Sequence, residues 1–278
     1  TLSPGHLTYA ECRVPGETED EAVIYTHVCH PGLANDNLTG IAAAAALARE
    51  MRTGPKPRLS WRFVFAPGTI GALTWLARHE SELPRIRAGL VIGLLGDGGA
   101  LTYKRSRRGN ALPDRAAELI VPTAGGRLID FEPYGYDERQ FCSPGFDLPF
   151  GRLTRSPNAA YPEYHSSADN LDFVRPDALA GSLQCLAALV GAIDANQRWR
   201  NLSPKGEPRL GKRGLYGLTG GAWPGQFEHA LLWLLNQSDG RHDLIDIAGR
   251  SRLPLPLLAR AAEALMQAGL QAHETSSS

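Results

Sequence analysis

The stretch VIYTHVCHPGLANDNLTGIAAAAALAREM, residues 23–51, decides the fold class. It begins within an apolar run (AVIYT, 22–26), crosses a polar loop and enters a small-residue helix over 41–51. The first piece has strand character, and the alanine-rich piece is a helix able to pack closely on a sheet. Asn37 to Thr39 stand where an N-cap would. Upstream, LTYAECRV (7–14) reads as a strand joined to 22–26 by the acidic turn PGETEDE. Downstream come a strand (LSWRFVFA, 59–66), a helix over 70–80, a strand (GLVIGLLG, 89–96), a helix over 113–124, a strand-like LPFGRL (148–153) and an apolar helix over 176–197. Strands alternating with helices predict an α/β three-layer sandwich around a mostly parallel central sheet.

Ligands collect at the carboxyl ends of such strands, and His27 and Asp97 fall there. A second fragment, YPEYHSSADNLDF (161–173), again sets His and Asp together. Zinc takes His nitrogen and carboxylate oxygen, and a catalytic zinc keeps one position open. His27, Asp36, Asp97 and His165 supply that ligand set. Each also has an ordinary reading: His27 as a hydrogen-bonded core residue, Asp36 as a turn former, Asp97 as a turn residue or helix cap, and His165 with Asp169 as a surface loop. One shared site is the more economical account.

The chain has 278 residues, with 29 basic and 29 acidic side chains, so bulk attraction to nucleic acid or anionic membrane is not expected. No apolar run approaches the roughly 18 residues of a membrane span, and Thr1 opens no signal-peptide pattern. Cys12, Cys29, Cys142 and Cys185 lack CxxC spacing, which argues against disulfides and makes a reducing cytoplasm the expected location. At about residue 200 the basic, Pro/Gly-rich RNLSPKGEPRLGKRG marks a boundary between domains 1–200 and 201–278. Beyond it, 226–236, 243–250 and 255–269 have helical period and, with the tail LQAHE, look like a small winged helix. Its presumed recognition stretch carries only Arg260 as a base, beside Glu263. DNA binding is therefore not expected, and a protein–protein or dimer-forming role is the preferred reading.

The string H-x-C-H-P-x-x-A-N-D-N-x-x-G, followed by P-G-T-I-G, G-D-G, D-E-R-Q-F-C-S-P-G-F-D-L-P and Y-H-S-S-A-D-N, resembles the zinc exopeptidases of the bacterial aminopeptidase and glutamate-carboxypeptidase type. More closely, it resembles the aminopeptidase-like proteins with a C-terminal winged helix often labelled polysaccharide-biosynthesis proteins. The resemblance implies that His27 is the first zinc-binding His, Asp36 a carboxylate bridging two metals, Asp97 the acid completing the first metal's set, and His165 the second metal's His. It places Asp137 beside the site as a supporting acid. His30 is an alternative ligand if the short loop folds differently, and Asp169 a partner orienting His165.

The chain departs from that family in one place. Two adjacent Glu residues, a general base and a metal ligand, end the exopeptidase strand where this chain has FAPGTIGA, with Pro67, Gly68 and Thr69. One zinc is therefore expected. Glu163 is the first candidate for a replacement base and Asp147 a second, against the ordinary reading of Glu163 as a solvated loop acid. YKRSRRG (103–109) is a candidate anion-binding stretch or a solvated basic loop. Tyr134, Tyr136, Phe141, Tyr161 and Tyr164 are candidates to line a pocket, and Gly96, Gly98 and Gly99 lack the context of a nucleotide loop. The expected activity is zinc-dependent amide hydrolysis of a small aminoacyl or peptide-like substrate, with zinc-assisted acyl transfer or cyclisation in the same picture. The competing reading is a catalytically impaired binding protein that keeps the pocket. Relatives in this family carry more sequence ahead of the first strand, including an inserted lid, so the chain is expected to lack those segments.

Overall fold

Every residue of β2 (Glu21–His27) is buried, because β2 lies inside the sheet with parallel neighbours on both sides. β3 (Ser60–Ala66) pairs with it along one edge and β4 (Ile86–Ile92) along the other. A strand covered on both faces reads as a continuous apolar run, as AVIYT does. In the computed structural model, which describes residues 3–215 and 225–274, seven strands form one sheet in the order β1-β3-β2-β4-β7-β5-β6. The others are β1 (Ala10–Val14), β5 (Thr102–Lys104), β6 (Arg127–Ile129) and β7 (Phe150–Thr154). The strands β3, β2, β4 and β7 run parallel, while β1 and β5 are antiparallel to β3 and β7. The expected sandwich is therefore a mixed sheet with a parallel centre, and β1 pairs with β3 rather than with β2, the strand that follows it in sequence.

Helices α1 (Thr39–Thr53), α2 (Ile70–Arg78), α3 (Leu112–Ile120), the short α4 (Glu138–Phe141) and α5 (Pro176–Ala195) complete this unit. α4 is anchored by Phe141, which stacks on Phe150 at 4.0 Å and meets Tyr25 edge-on at 5.1 Å. Burying such a ring contributes about 1.5–3 kcal/mol, and the anchor fixes Tyr136 and Asp137 just ahead of the helix. α5 is long and apolar enough by length and composition to cross a membrane, which corrects the sequence reading. Here Cys185, Leu186, Leu189 and Ile193 are buried, and the Ser182 hydroxyl donates to the Leu95 carbonyl at 2.8 Å.

Three boundaries differ from expectation. β4 ends at Ile92, so Asp97 comes from a loop. α3 stops at Ile120 and a 3-10 turn (Pro122–Ala124) follows. No side chain caps α1: Asn37 instead donates to the Thr26 hydroxyl (2.8 Å) and accepts from the Leu94 N–H (3.1 Å), while Thr39 Oγ1 donates to the Asn35 carbonyl (2.7 Å). These bonds tie the loop ahead of α1 to the ends of β2 and β4. All four cysteines are free.

Internal contacts divide the chain into Thr1–Asp194 and Ala195–Ser278. The division falls ahead of the basic stretch read as a linker, whose first residues lie in β8 (Arg198–Asn201). The second unit has an antiparallel sheet, β10-β8-β9, with β9 at Asp239–Asp243 and β10 at Gln271–His273. Helices α6 (Gln226–Gln237), α7 (Leu244–Ser251) and α8 (Leu255–Gln267) bury Leu231, Leu234, Ile247, Leu258 and Leu265. Asp243 and Asp246 form a reciprocal capping box at the start of α7. Three helices and a three-stranded sheet are the winged-helix plan.

Candidate metal centre

The loop that carries Asp36 is held from beneath by Asp169. Its fully buried carboxylate accepts the backbone N–H groups of Asn35 (2.6 Å) and Asp36 (2.9 Å). Asp169 therefore positions Asp36, not His165 as expected. Bonds from N–H to carboxylate are charge-assisted and strong, and they turn the Asp36 side chain toward three histidines.

His27, at the end of β2, sits 2.7 Å from Asp36 Oδ1 through Nε2. Burial holds the His27 pKa below its ordinary value, against the pull of Asp36. Burial acts to raise the Asp36 pKa, but the hydrogen bond from His27 and the charges of His27, His30 and His165 outweigh it and hold it low. With Oδ1 engaged, Oδ2 faces outward, 3.2 Å from His165 Nε2 and 3.9 Å from His30 Nε2. The ligand atoms of His30, Asp36 and His165 lie within 4.8 Å of one another. Nitrogen and oxygen ligands about 2.0–2.2 Å from a tetrahedral ion stand roughly 3.4 Å apart, so the donor set fits a small divalent cation. His165 has φ 56°, a left-handed conformation costing about 1–2 kcal/mol in a non-glycine residue. Tyr164 stacks on its ring at 3.9 Å and helps to hold it there.

The structure thus brings together Asp36 and His165 with His30, which the sequence offered only as an alternative, and places His27 behind Asp36. Asp97 does not join them. Its Oδ1 accepts from the Gly99 N–H (2.7 Å) and the Ser156 hydroxyl (2.6 Å), and its Oδ2 from Asn35 Nδ2 (3.1 Å) and the Ser156 N–H (3.3 Å). Asp97 closes loops. Its position past a strand was a true signal of burial and a misleading one of ligation.

Asp137 is fully buried. One oxygen accepts from the Thr69 N–H at 2.7 Å. The other makes no well-formed hydrogen bond, the nearby Tyr25 hydroxyl donating to the Pro67 carbonyl at 3.3 Å. Burial pushes the Asp137 pKa up to about 7. Glu163 is half-buried, and its carboxylate makes no hydrogen bond or ion pair among the described residues. Asp147 is held by Arg107 (3.3 Å) and Arg108 (3.2 Å), which removes it as a candidate base. The basic stretch is likewise consumed internally: Lys104 pairs with Glu138 and Arg105 with Glu118. Of the aromatics, Phe141 is core, Tyr161 stacks on Phe173, Tyr134 is exposed, and Tyr136 and Tyr164 lie against His27 and His165.

Gly68 is the middle residue of the Pro67–Thr69 turn, where the resemblance implied carboxylates. A Cβ there would overlap the Tyr136 hydroxyl and lie 2.9 Å from Cys29 Sγ. The thiol accepts from the Gly68 N–H at 2.9 Å and contacts the Tyr136 hydroxyl at 3.1 Å. Tyr136 and Cys29 therefore leave no room for a side chain at position 68, a packing that no motif announces.

The parallel-centred sheet and its helices are similar to the aminopeptidase fold. A zinc aminopeptidase of Bacillus subtilis superposes with a TM-score of 0.54 over 66% of this chain and 49% of that one, at 18% identity, a likeness of fold alone. The chain belongs to the family described as a domain of unknown function, DUF4910, which matches residues 1–196, and a winged helix-turn-helix family matches 197–273. A Clostridium acetobutylicum protein, whose name assigns it to polysaccharide biosynthesis with an aminopeptidase-like domain, is 42% identical over 273 residues. A crystal structure from that organism, named as a peptidase, has a TM-score of 0.85 at 40% identity, over 95% of this chain and 60% of that one. The match covers 97% of this chain, which thus spans 62% of that relative's length.

Proposed function

We propose that the chain is a zinc-dependent amide hydrolase of aminopeptidase type, acting on a small aminoacyl or peptide-like substrate. The observation that carries this reading is the convergence of one ligand atom each from His30, Asp36 and His165 within 4.8 Å of one another, in a fold shared with zinc aminopeptidases. One zinc is proposed, which His30, Asp36 and His165 would hold. When bound, zinc polarises the scissile carbonyl and brings the pKa of water down to about 7.

The chain's own residues divide the remaining work. The Glu163 carboxylate, free of partners and two residues before His165, takes the proton of the attacking water and passes it to the leaving amine. Such a base contributes about 10²–10⁴ in rate. Asp169 holds the Asp36 backbone, and His27 fixes which Asp36 oxygen faces outward. Asp137 holds the Pro67–Thr69 turn through the Thr69 N–H, and with Tyr136 it shapes the floor of the site.

Elemental analysis of protein purified without chelators, alongside steady-state hydrolysis of aminoacyl p-nitroanilides, tests this. About one zinc per chain is expected, lost in His30→Ala. Glu163→Gln should keep its zinc while kcat falls by about 10²–10⁴. Folded protein without zinc, or His30→Ala retaining it, would overturn the site. Zinc-loaded protein inert toward every amide would leave the binding role.

A further inference from the structure

Two buried cations face each other across neighbouring strands of the sheet. Lys104 of β5 and Arg152 of β7 are cross-strand partners, exposed to 5% and 4%. Like charges directly opposite are destabilising, and a buried charge without a counter-ion is strongly so. Lys104 is neutralised by Glu138 at 2.8 Å and donates to the Tyr134 carbonyl at 2.6 Å. Arg152 makes no direct ion pair among the described residues and feels the buried Glu138 carboxylate, which Lys104 contacts, only through space. Its Nη2 donates to Asn158 Oδ1, and its Nε is buried without a hydrogen-bond partner.

Arg62 shows how this fold treats a structural arginine. Equally buried at 4%, it bonds Glu21 at 2.9 Å through Nε and Nη2, Glu82 at 2.5 Å and Glu11 at 3.3 Å. Arg152 instead lines a cleft of about 140 Å³ with Lys104, Tyr134, Thr154 and Asn158, and Glu132 at its exposed rim. The cleft adjoins the metal centre, since Asn158 lies beside the Tyr164 hydroxyl and Tyr164 stacks on His165. A guanidinium edge with a free Nε–H accepts a carboxylate side-on, with charge assistance.

We propose that Arg152, with Lys104 and Asn158, forms an anion subsite that receives a carboxylate of the substrate, so that the chain acts on acidic aminoacyl or peptide-like amides. The substrate assignment rests on the hydrolase reading; the subsite does not.

Isothermal titration of the full chain with glutarate, inorganic phosphate and neutral glutaramide tests it, with zinc measured on the same samples. Glutarate should bind and glutaramide should not, and Arg152→Gln should weaken glutarate at least about tenfold. Should Arg152→Gln fail to fold, Asn158→Ala decides, with a loss of about three- to tenfold expected from one hydrogen bond. In turnover, the kcat/KM preference for alanyl-glutamate over alanyl-glutamine should collapse in the same variants. No glutarate binding by zinc-loaded wild type, or undiminished binding in a folded Arg152→Gln, overturns the subsite and leaves the hydrolase reading standing. Phosphate binding without glutarate binding overturns the carboxylate assignment. Arg152-dependent glutarate binding in protein that holds no zinc confirms the subsite and sinks the hydrolase.

Discussion

Asp36 and Asp97 both lie in loops past the ends of central parallel strands, and both are buried, at 3% and 2% exposure. Asp97 accepts four hydrogen bonds from three residues of its surroundings. Among the described residues, the Asp36 carboxylate meets imidazoles: His27 on one oxygen, His165 and His30 on the other. The loop backbone around Asp36 is satisfied separately by Asp169. A buried carboxylate becomes available to a ligand only when other groups close its loop. The lesson is about lone pairs, not about residue type or distance from a strand.

Substitutions can break or sharpen this contrast. The largest effect is expected from Asp36→Ala, which removes an oxygen ligand outright. Zinc affinity, measured by competition with a chromophoric chelator, should fall by more than about a hundredfold, beyond the 10–100-fold typical of supporting residues. Asp169→Asn sets an amide against the Asn35 and Asp36 N–H groups and should lower zinc affinity by about 10–100-fold with the ligands intact. Asp97→Ala should leave zinc affinity within about threefold, well short of a supporting residue's effect. It should nevertheless cost about 1–3 kcal/mol in urea unfolding, because buried donors lose their acceptor. Loss of zinc in Asp97→Ala at unchanged stability would reverse the comparison.

The two arginines repeat the theme in the opposite charge. Arg62 is bonded by three acids, whereas Arg152 has no direct bond to an acid among the described residues and a buried Nε without a partner. The sequence RFVFA around Arg62 and FGRLT around Arg152 give no hint of that difference. It arises because β3 lies beside strands carrying Glu11 and Glu21, while the partner of Arg152 on β5 is Lys104.

What was legible came from repeated local signals. The AVIYT, LSWRFVFA and GLVIGLLG runs located β2, β3 and β4, and the alanine-rich and apolar helical stretches located α1 and α5. The three C-terminal helical patterns were found within a few residues of α6, α7 and α8. The short β5 and β6 were not, since three residues are too few to show a period. Thr102–Lys104 was hidden inside a basic run and is a strand only because β7 and β6 pair with it.

The sequence by itself determined the fold class and the residue types gathered at the candidate site. Its His and Asp residues fall near strand ends of a parallel-centred sheet, because backbone periodicity and turn residues act over short range. Tertiary structure alone decided which of them meet. It took Asp97 out of the cluster by saturating its oxygens, brought in His30, closed the space at Gly68 with Tyr136 and Cys29, and left Arg152 without a direct acid partner. Those outcomes depend on hydrogen bonds between residues far apart in the chain, such as the 133 positions separating Asp36 from Asp169, and short-range patterning carries no record of them.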